Sequence, residues 1–399
     1  MPTPQKKRVM WVDIAKGMSI ILVVALHLST FGAASGYSPG FWYEFSRAFE
    51  HLRLPLFFMA SGLFAAKIRT FTFAELFCKR TWLWGVPFIL WGGLVLIAKH
   101  LVLGSSLENF WQEWIRGFLF PDNGIWFLMA LLVFTLVIWI VRKVPGKYVL
   151  AVSIVMTLVM PFLGSPSPSD YWWSWRRLAM YFSSYCIGLY GRDIILKVVR
   201  KARWYHAIIL FALLATAEHF YKSLTNELAL SASNIGLIVL GLVTGVSIAV
   251  AMDGTKIGKA FSYIGKHTLE IYLLNEILTW IFFKNVVPHI AFNHYPDNLT
   301  WPSNWIVTRP EVLLTSINFW AIFIGVIFVT GLALFFRELI KGSRLDWIFT
   351  PPTFGWMKKW MASSRARLDE KEKKFAAQNR ESATEELLAA EQDRMEEAD

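Results

Sequence analysis

Apolar residues run along this chain in long blocks, and the polar residues fall in the gaps between them. A helix needs about 20 apolar residues to cross a bilayer core. On that measure the blocks predict spans near 10–31, 47–66, 82–103, 124–141, 147–163, 174–192, 204–221, 234–252, 264–283 and 312–336. The expected fold class is therefore all-α: a polytopic membrane protein of about ten transmembrane helices. No internal repeat is visible.

Composition agrees. The 399 residues are 55% hydrophobic, 16% aromatic and only 17% charged, against about 25% charged in soluble domains. A soluble chain of this length could not hide so much apolar surface. Disordered, collagenous and disulfide-rich secreted classes are excluded. Cys78 and Cys186 are too few for a disulfide framework or a zinc site, so no metal is expected. No cleavable signal peptide is expected, because the first apolar run carries Asp13 and Lys16 and lacks a small-residue cleavage site.

The net charge of +11 is unevenly spread. Residues 361–399 hold 7 Lys/Arg and 11 Asp/Glu, net −4, which leaves +15 for the rest. Those cations lie between apolar runs, where cytoplasmic loops need them, so no nucleic-acid partner is implied. With the N-terminus inside, the inner gaps hold Lys6, Lys7 and Arg8; Lys67, Arg69, Lys79 and Arg80; Arg142, Lys143 and Lys147; then Arg192, Lys197, Arg200, Lys201 and Arg203. Lys256, Lys259 and Lys266 follow, and then Arg337, Lys341 and Arg344. The outer gaps hold only Arg116, Lys222, Lys284 and Arg309. An even count with both termini cytoplasmic satisfies the positive-inside rule at every loop.

This divides the chain into a cytoplasmic N-terminus (1–9), a membrane domain (10–340), an interfacial segment (341–362) and a charged cytoplasmic tail (363–399). The interfacial segment sets Trp347, Trp356 and Trp360 beside Lys358 and Lys359. The tail is helix-prone or disordered, without sustained heptads, and could recruit a cytoplasmic partner. Two outer loops are long, 104–122 and 284–311. The second, rich in Asn, Pro, Trp and His, is either a cover for an outward site or an ordinary interfacial loop.

Ionisable groups are costly inside a bilayer and mark candidate sites. Asp13, Lys16 and His27 fall within about 60° of one another on the first helix. Lys16 and His27 are eleven residues apart, about 16 Å along the axis, with His27 toward the outer side. Glu50, His51 and Arg53 enter the second span at nearly the depth of His27, followed by Pro55, which should free a carbonyl and kink the helix. Either a polar chamber forms here, or Asp13–Lys16 is an i,i+3 pair and His27 a packing residue. Lys99, His100, Glu218 and His219 lie near outer ends and are expected to snorkel. Glu270 sits in the inner half of the ninth span, and Glu276 follows in the same helix. Arg176 and Arg177, after Trp172, Trp173 and Trp175, form either an interfacial anchor or a rim for a sugar or an anionic head group.

Several segments resemble the acyltransferase-3 family of membrane O-acyltransferases. Asp13-Ile14-Ala15-Lys16-Gly17 with His27 resembles its first span, including the ten residues between a basic residue and a histidine. Pro55-Leu56-Phe57-Phe58 with Ser61-Gly62 resembles its second span. Trp126-Phe127-Leu128 with Ala130-Leu131 resembles its Trp-Phe-Leu motif, and Ile264-Gly265-Lys266 through Ile271-Tyr272-Leu273-Leu274 its late segment. The likeness covers about residues 10–340. Arg53 stands where many relatives have His, and Asn275 where the late segment often ends in His. Lys79, Arg80 and Leu83 occupy a loop that often carries paired arginines.

The resemblance implies transfer of an acyl group, usually acetyl, from cytoplasmic acyl-CoA to a hydroxyl of an extracytoplasmic glycan or glycolipid. The chain is then a multi-pass inner-membrane enzyme, with acyl-CoA as co-substrate and no permanently bound cofactor. His27 takes the hydroxyl proton, and Glu50 is the candidate to orient it. Lys16, Lys79 and Arg80, with Asp13 beside them, are the candidates at the CoA end. His51, Arg53, Arg176, Trp126 and Glu270 are candidate substrate contacts. Direct transfer and an acetyl-histidine intermediate both fit. A transporter or flippase without acyl chemistry is the alternative. A scaffold working through the tail is a third reading; tail deletion abolishes a scaffold's function and mostly spares an enzyme's.

Overall fold

The structure, a computed structural model, describes residues 10–35, 37–38, 41–120, 124–163, 172–287, 315–316 and 319–396. Among them almost everything is helical, apart from one parallel pair of two-residue strands, Tyr37–Ser38 and Thr315–Ser316. In chain order the helices are α1 (Met10–Ala34), α2 (Phe41–Ala48), α3 (Glu50–Gly62), α4 (Phe73–Leu76), α5 (Trp82–Leu103) and α6 (Phe110–Leu119). Next come α7 (Trp126–Ile140), α8 (Gly146–Val159), α9 (Trp172–Tyr190), α10 (Arg192–Lys201), α11 (Trp204–Tyr221) and α12 (Glu227–Ala251). The last are α13 (Lys256–Lys266), α14 (Thr268–Asn285), α15 (Phe319–Ile340) and α16 (Gly355–Glu396). The apolar runs of the sequence fall on these helices. By length and composition, the segments Met10–Ala34, Phe73–Leu103, Leu228–Ala251 and Trp320–Ile340 can each cross a bilayer. Helices α7 and α8 are apolar but short, at 15 and 14 residues.

The second run does not form one straight span. It breaks at Phe49, so that α2 ends at Ala48 and α3 spans only 13 residues. Pro55 sits inside α3, and the helix continues through it. Because Pro55 has no N–H, the carbonyl of His51 loses its usual i+4 donor. That carbonyl meets α12 at Gly241, where a Cβ would lie only 2.5 Å from it.

Helix α1 is the hub, packing against α3, α12, α13, α14 and α15. Its contact with α13 is close because both sides are bare. A Cβ on Gly17 would stand 2.1 Å from the Phe261 carbonyl oxygen, and one on Gly265 would stand 1.8 Å from that of Asp13. Gly62 and Gly188 make the same close crossing between α3 and α9. Association of helices in lipid rests on such backbone approach rather than on hydrophobic burial. Around Phe58, the rings of Phe127, Phe134 and Tyr181 pack at 4.5, 5.2 and 5.5 Å. After α15 the chain turns back across the end of the bundle that holds α4 and the start of α5. Arg337 bonds Asp346 in that turn and holds its carboxyl below the usual range.

Gly17→Val should therefore cost about 2 kcal/mol through forced separation of α1 and α13. A lowered unfolding midpoint in detergent checks this. Gly331→Ala, where a Cβ meets nothing within 4 Å, should leave the midpoint unchanged or raise it.

Candidate functional site

Lys16, Ile20, Val23 and His27 follow one another at intervals of four, three and four residues, so they form one stripe along α1. The first three line a cavity of about 180 Å³ enclosed by α1, α3, α5, α7 and α14. Phe57, Trp84, Phe127 and Leu131 supply its apolar walls; Ser61, Thr268 and Tyr272 add hydroxyls. The Lys16 ammonium lies 5.5 Å from the centre of the Phe64 ring at one end. His27 stands one turn beyond Val23 on the same stripe, past the residues that line the cavity.

Two bonds hold α14 to this stripe. The Tyr272 hydroxyl accepts from the Phe127 N–H at 2.9 Å. That N–H belongs to the first turn of α7, where no helical carbonyl is available, so Tyr272 caps α7. One turn further along α14, the side-chain amide of Asn275 lies 2.6 Å from His27 Nδ1. Asn275 is fully buried and His27 half-buried. The next residue, Glu276, is buried with its carboxylate against Gly124. A Cβ at Gly124 would fall 1.7 Å from Glu276 Oε2, so a larger residue there would have to displace that carboxylate.

The guanidinium groups of Arg53 and Arg177 lie near enough to His27 for their charge to bear on it. Arg53 is buried, and its Nη1 donates to the Ser46 carbonyl at 2.9 Å. Arg177 Cζ lies over Trp126, 3.9 Å from the ring centre, and Trp126 packs against Tyr181. Arg176, its neighbour, is half-buried. The side chains of Trp172 and Trp173 lie outside the described residues, as do Trp301 and Trp305 of segment 284–311.

The other predicted residues separate from His27. Glu50 and His51 line a second cavity of about 110 Å³, with Pro55, Tyr181, Tyr221 and Asn234. Glu50 faces this second cavity, and the side chain found against His27 is that of Asn275. His51 Nδ1 is 2.7 Å from Glu218 Oε1, and its ring meets Tyr221 edge-on at 5.1 Å. Glu218, expected to snorkel, is instead 3% exposed, because His51 gives it a partner inside the bundle. Glu270 pairs with Arg337 at 3.0 Å across α14 and α15, with His267 3.6 Å away. That pairing assigns it to holding helices together rather than to the cavity. Asp13 is buried at the α1–α13 crossing. Lys79 pairs with Glu75 at 3.0 Å, and Arg80 stacks over Trp84, which itself lines the first cavity.

The sequence sets Tyr272 and Asn275 in the late family segment but gives neither of them a role at the site. Their spacing of three, with Thr268 and Leu269 a turn earlier, is the signal that could have placed them on one face of α14. Arg177 was visible only as half of a pair with Arg176.

A family model described as an acyltransferase domain matches residues 9–338. The chain is 23% identical over 376 residues to the inner membrane protein YcfT of Escherichia coli (strain K12), covering 87% of this chain and 97% of that protein. No solved structure matches.

The His51–Glu218 pair is buried, so removing one partner should cost more than removing both. His51→Leu or Glu218→Leu alone should cost about 3 kcal/mol, and the double replacement distinctly less. Unfolding midpoints of the three variants in detergent give the comparison.

Proposed function

The chain belongs to the acyltransferase-3 family of integral membrane proteins, and on that premise we propose that it carries an acyl group, acetyl in the first instance, from cytoplasmic acyl-CoA to a hydroxyl on an extracytoplasmic envelope glycan or glycolipid. The observation that carries this reading is the stripe on α1. A cation lines a mainly apolar cavity, and a histidine held by Asn275 stands one turn beyond it on the same stripe. The excess of Lys/Arg in the gaps on the Lys16 side supports a cytoplasmic Lys16 end. The similarity to YcfT, an inner membrane protein, supports placement in the inner membrane.

In this mechanism the CoA phosphates stay at the Lys16, Lys79 and Arg80 end. The thin pantetheine arm enters between α1, α7 and α14 and brings the thioester carbonyl toward His27. Nδ1 of His27 is occupied by Asn275. The atom placed against Nδ1 is Asn275 Nδ2; the mechanism needs the amide turned over, so that its oxygen accepts from Nδ1–H and Nε2 is left as the base. Nε2 takes the acceptor hydroxyl proton while that oxygen attacks the thioester carbon. Arg53 and Arg177 supply positive charge for the oxyanion that forms. The C–S bond then breaks, and the departing thiolate takes the proton from the imidazolium. Products are the ester and free CoA, with no net proton released. A histidine held at Nδ1 in this way suits direct transfer, with Nε2 serving as base throughout. Trp126 and Arg176, at the His27 end, are placed to contact the acceptor.

The test is incorporation of labelled acetyl from acetyl-CoA into envelope glycans and glycolipids by membranes carrying equal amounts of each variant. His27→Ala should lower labelling by about 10³-fold. Asn275→Ala should lower it by about 10- to 100-fold, the cost of a base whose orientation is lost. Equal labelling by wild type and His27→Ala would overturn the assignment. Absence of labelling with every acyl-CoA tried would turn attention to transport through the same cavity.

A further inference from the structure

Residues after 338 lie beyond the match to the acyltransferase domain, yet the structure folds part of them back onto the proposed donor end. Trp91 Nε1 donates to the Ile348 carbonyl at 3.1 Å, and its ring stacks on Phe349. Trp82 Nε1 donates to the Pro352 carbonyl at 3.1 Å. Then α16 begins, and Trp360 packs against Phe73 and Phe77 at 6.1 and 5.8 Å. One turn later Arg365 Nη2 reaches the Thr70 carbonyl at 3.1 Å and Glu75 Oε2 at 2.5 Å. Beyond it, the side chains of Glu370 through Asn379 are exposed.

Glu75 is the centre of this arrangement. Thr72 and Glu75 form a capping box that opens α4, with the Thr72 N–H donating to Oε2 at 3.0 Å. The same carboxylate holds Lys79 Nζ at 3.0 Å through Oε1 and Arg365 through Oε2. Its side chain is 9% exposed, whereas that of Lys79 is 46% exposed. Lys79 and Arg80 lie on the π-helical turn Phe77–Thr81 that joins α4 to α5. Glu75 and Lys79 alone sum to zero charge, and a phosphate arriving there would meet a neutral pair with a carboxylate behind it. With Arg365 added, the three groups sum to +1, and Lys79 keeps its charge for the ligand.

We propose that Arg365 is a positioning residue of the acyl-CoA site: it neutralises Glu75 so that Lys79 and Arg80 together attract the donor's phosphates. The inference rests on the donor reading above and extends the donor site into the C-terminal helix. It replaces the expectation that the tail is dispensable, for the segment up to Arg365 only.

The experiment uses full-length protein and measures KM for acetyl-CoA, kcat at saturating acceptor and equilibrium binding of CoA itself. Arg365→Ala should raise KM and weaken CoA binding by about fivefold, the scale of one partly exposed charge pair, with kcat nearly unchanged. Arg365→Lys should recover most of the loss. The discriminating variant is Glu75→Gln combined with Arg365→Ala. Glutamine keeps the capping box and removes the charge that Arg365 offsets, so KM should return toward wild type. Stopping the chain after Asn379 should leave KM unchanged, and stopping it after Phe354 should match Arg365→Ala. If Arg365 merely fastens α16, the double variant stays as weak as Arg365→Ala, and the proposal is overturned. A KM for Arg365→Ala within twofold of wild type overturns it as well. A wild-type protein that neither binds CoA nor transfers acetyl overturns the donor reading itself, and this inference with it.

Discussion

A charge inside a bilayer must find a partner, and here the partners sit on other helices. His51 of α3 meets Glu218 of α11, and Glu270 of α14 meets Arg337 of α15. His27 of α1 meets Asn275 of α14. Removing water makes each pair costly to break, so these contacts fix which helices are neighbours and at what height. The glycine crossings decide how close the helices come; the polar contacts decide their register. Once both are set, the stripe from Lys16 to His27 has a cavity in front of it, because Tyr272 holds α14 and α7 together on its far side.

The arrangement divides labour between the two ends. Basic side chains on short, partly exposed elements gather at the Lys16 end, where a phosphate-bearing donor can arrive from water. At the other end His27 has one ring nitrogen occupied, and the guanidinium groups of Arg53 and Arg177 act on it. The walls between are apolar. An acyl thioester is neutral and suits such walls, whereas a CoA phosphate does not. The same lining that would admit the arm would hold the head group back.

The helices were legible because lipid demands long apolar runs, and the sequence shows them. Lys16 and His27 were legible because both face one side of one helix, which spacing alone reveals. Contacts between helices were not. His51 looked equivalent to His27 in depth, but a rotation around α3 carries it to a different cavity and to Glu218. Glu270 looked like an inner-half functional residue until Arg337, far along the chain, accounted for it. Asn275 stood out only as a departure from the family's usual His, and its contact with His27 is visible only once the helices are packed. The break at Phe49 was hidden by the apolar character of both flanks, which hydropathy joins into one run. The return of the tail was hidden because tryptophan beside lysine reads as lipid anchoring, and here Trp360 packs on Phe73 and Phe77 instead.

The shortness of α7 has a consequence for the surrounding lipid. At 1.5 Å per residue its 15 residues span about 22 Å, against about 30 Å for a typical hydrocarbon core. Helix α8 escapes the shortfall, because the turn Met160–Leu163 continues it. Leu132, Val133, Leu136 and Val137 on α7 are only half-buried, and acyl chains beside them must compress to match. The bilayer is thereby pinched at a helix that supplies Phe127, Leu128 and Leu131 to the cavity wall. Such a pinch has an energy that depends on bilayer thickness. The host membrane's chain length thereby becomes a physical variable of the site, and thinner bilayers accommodate this fold with less distortion.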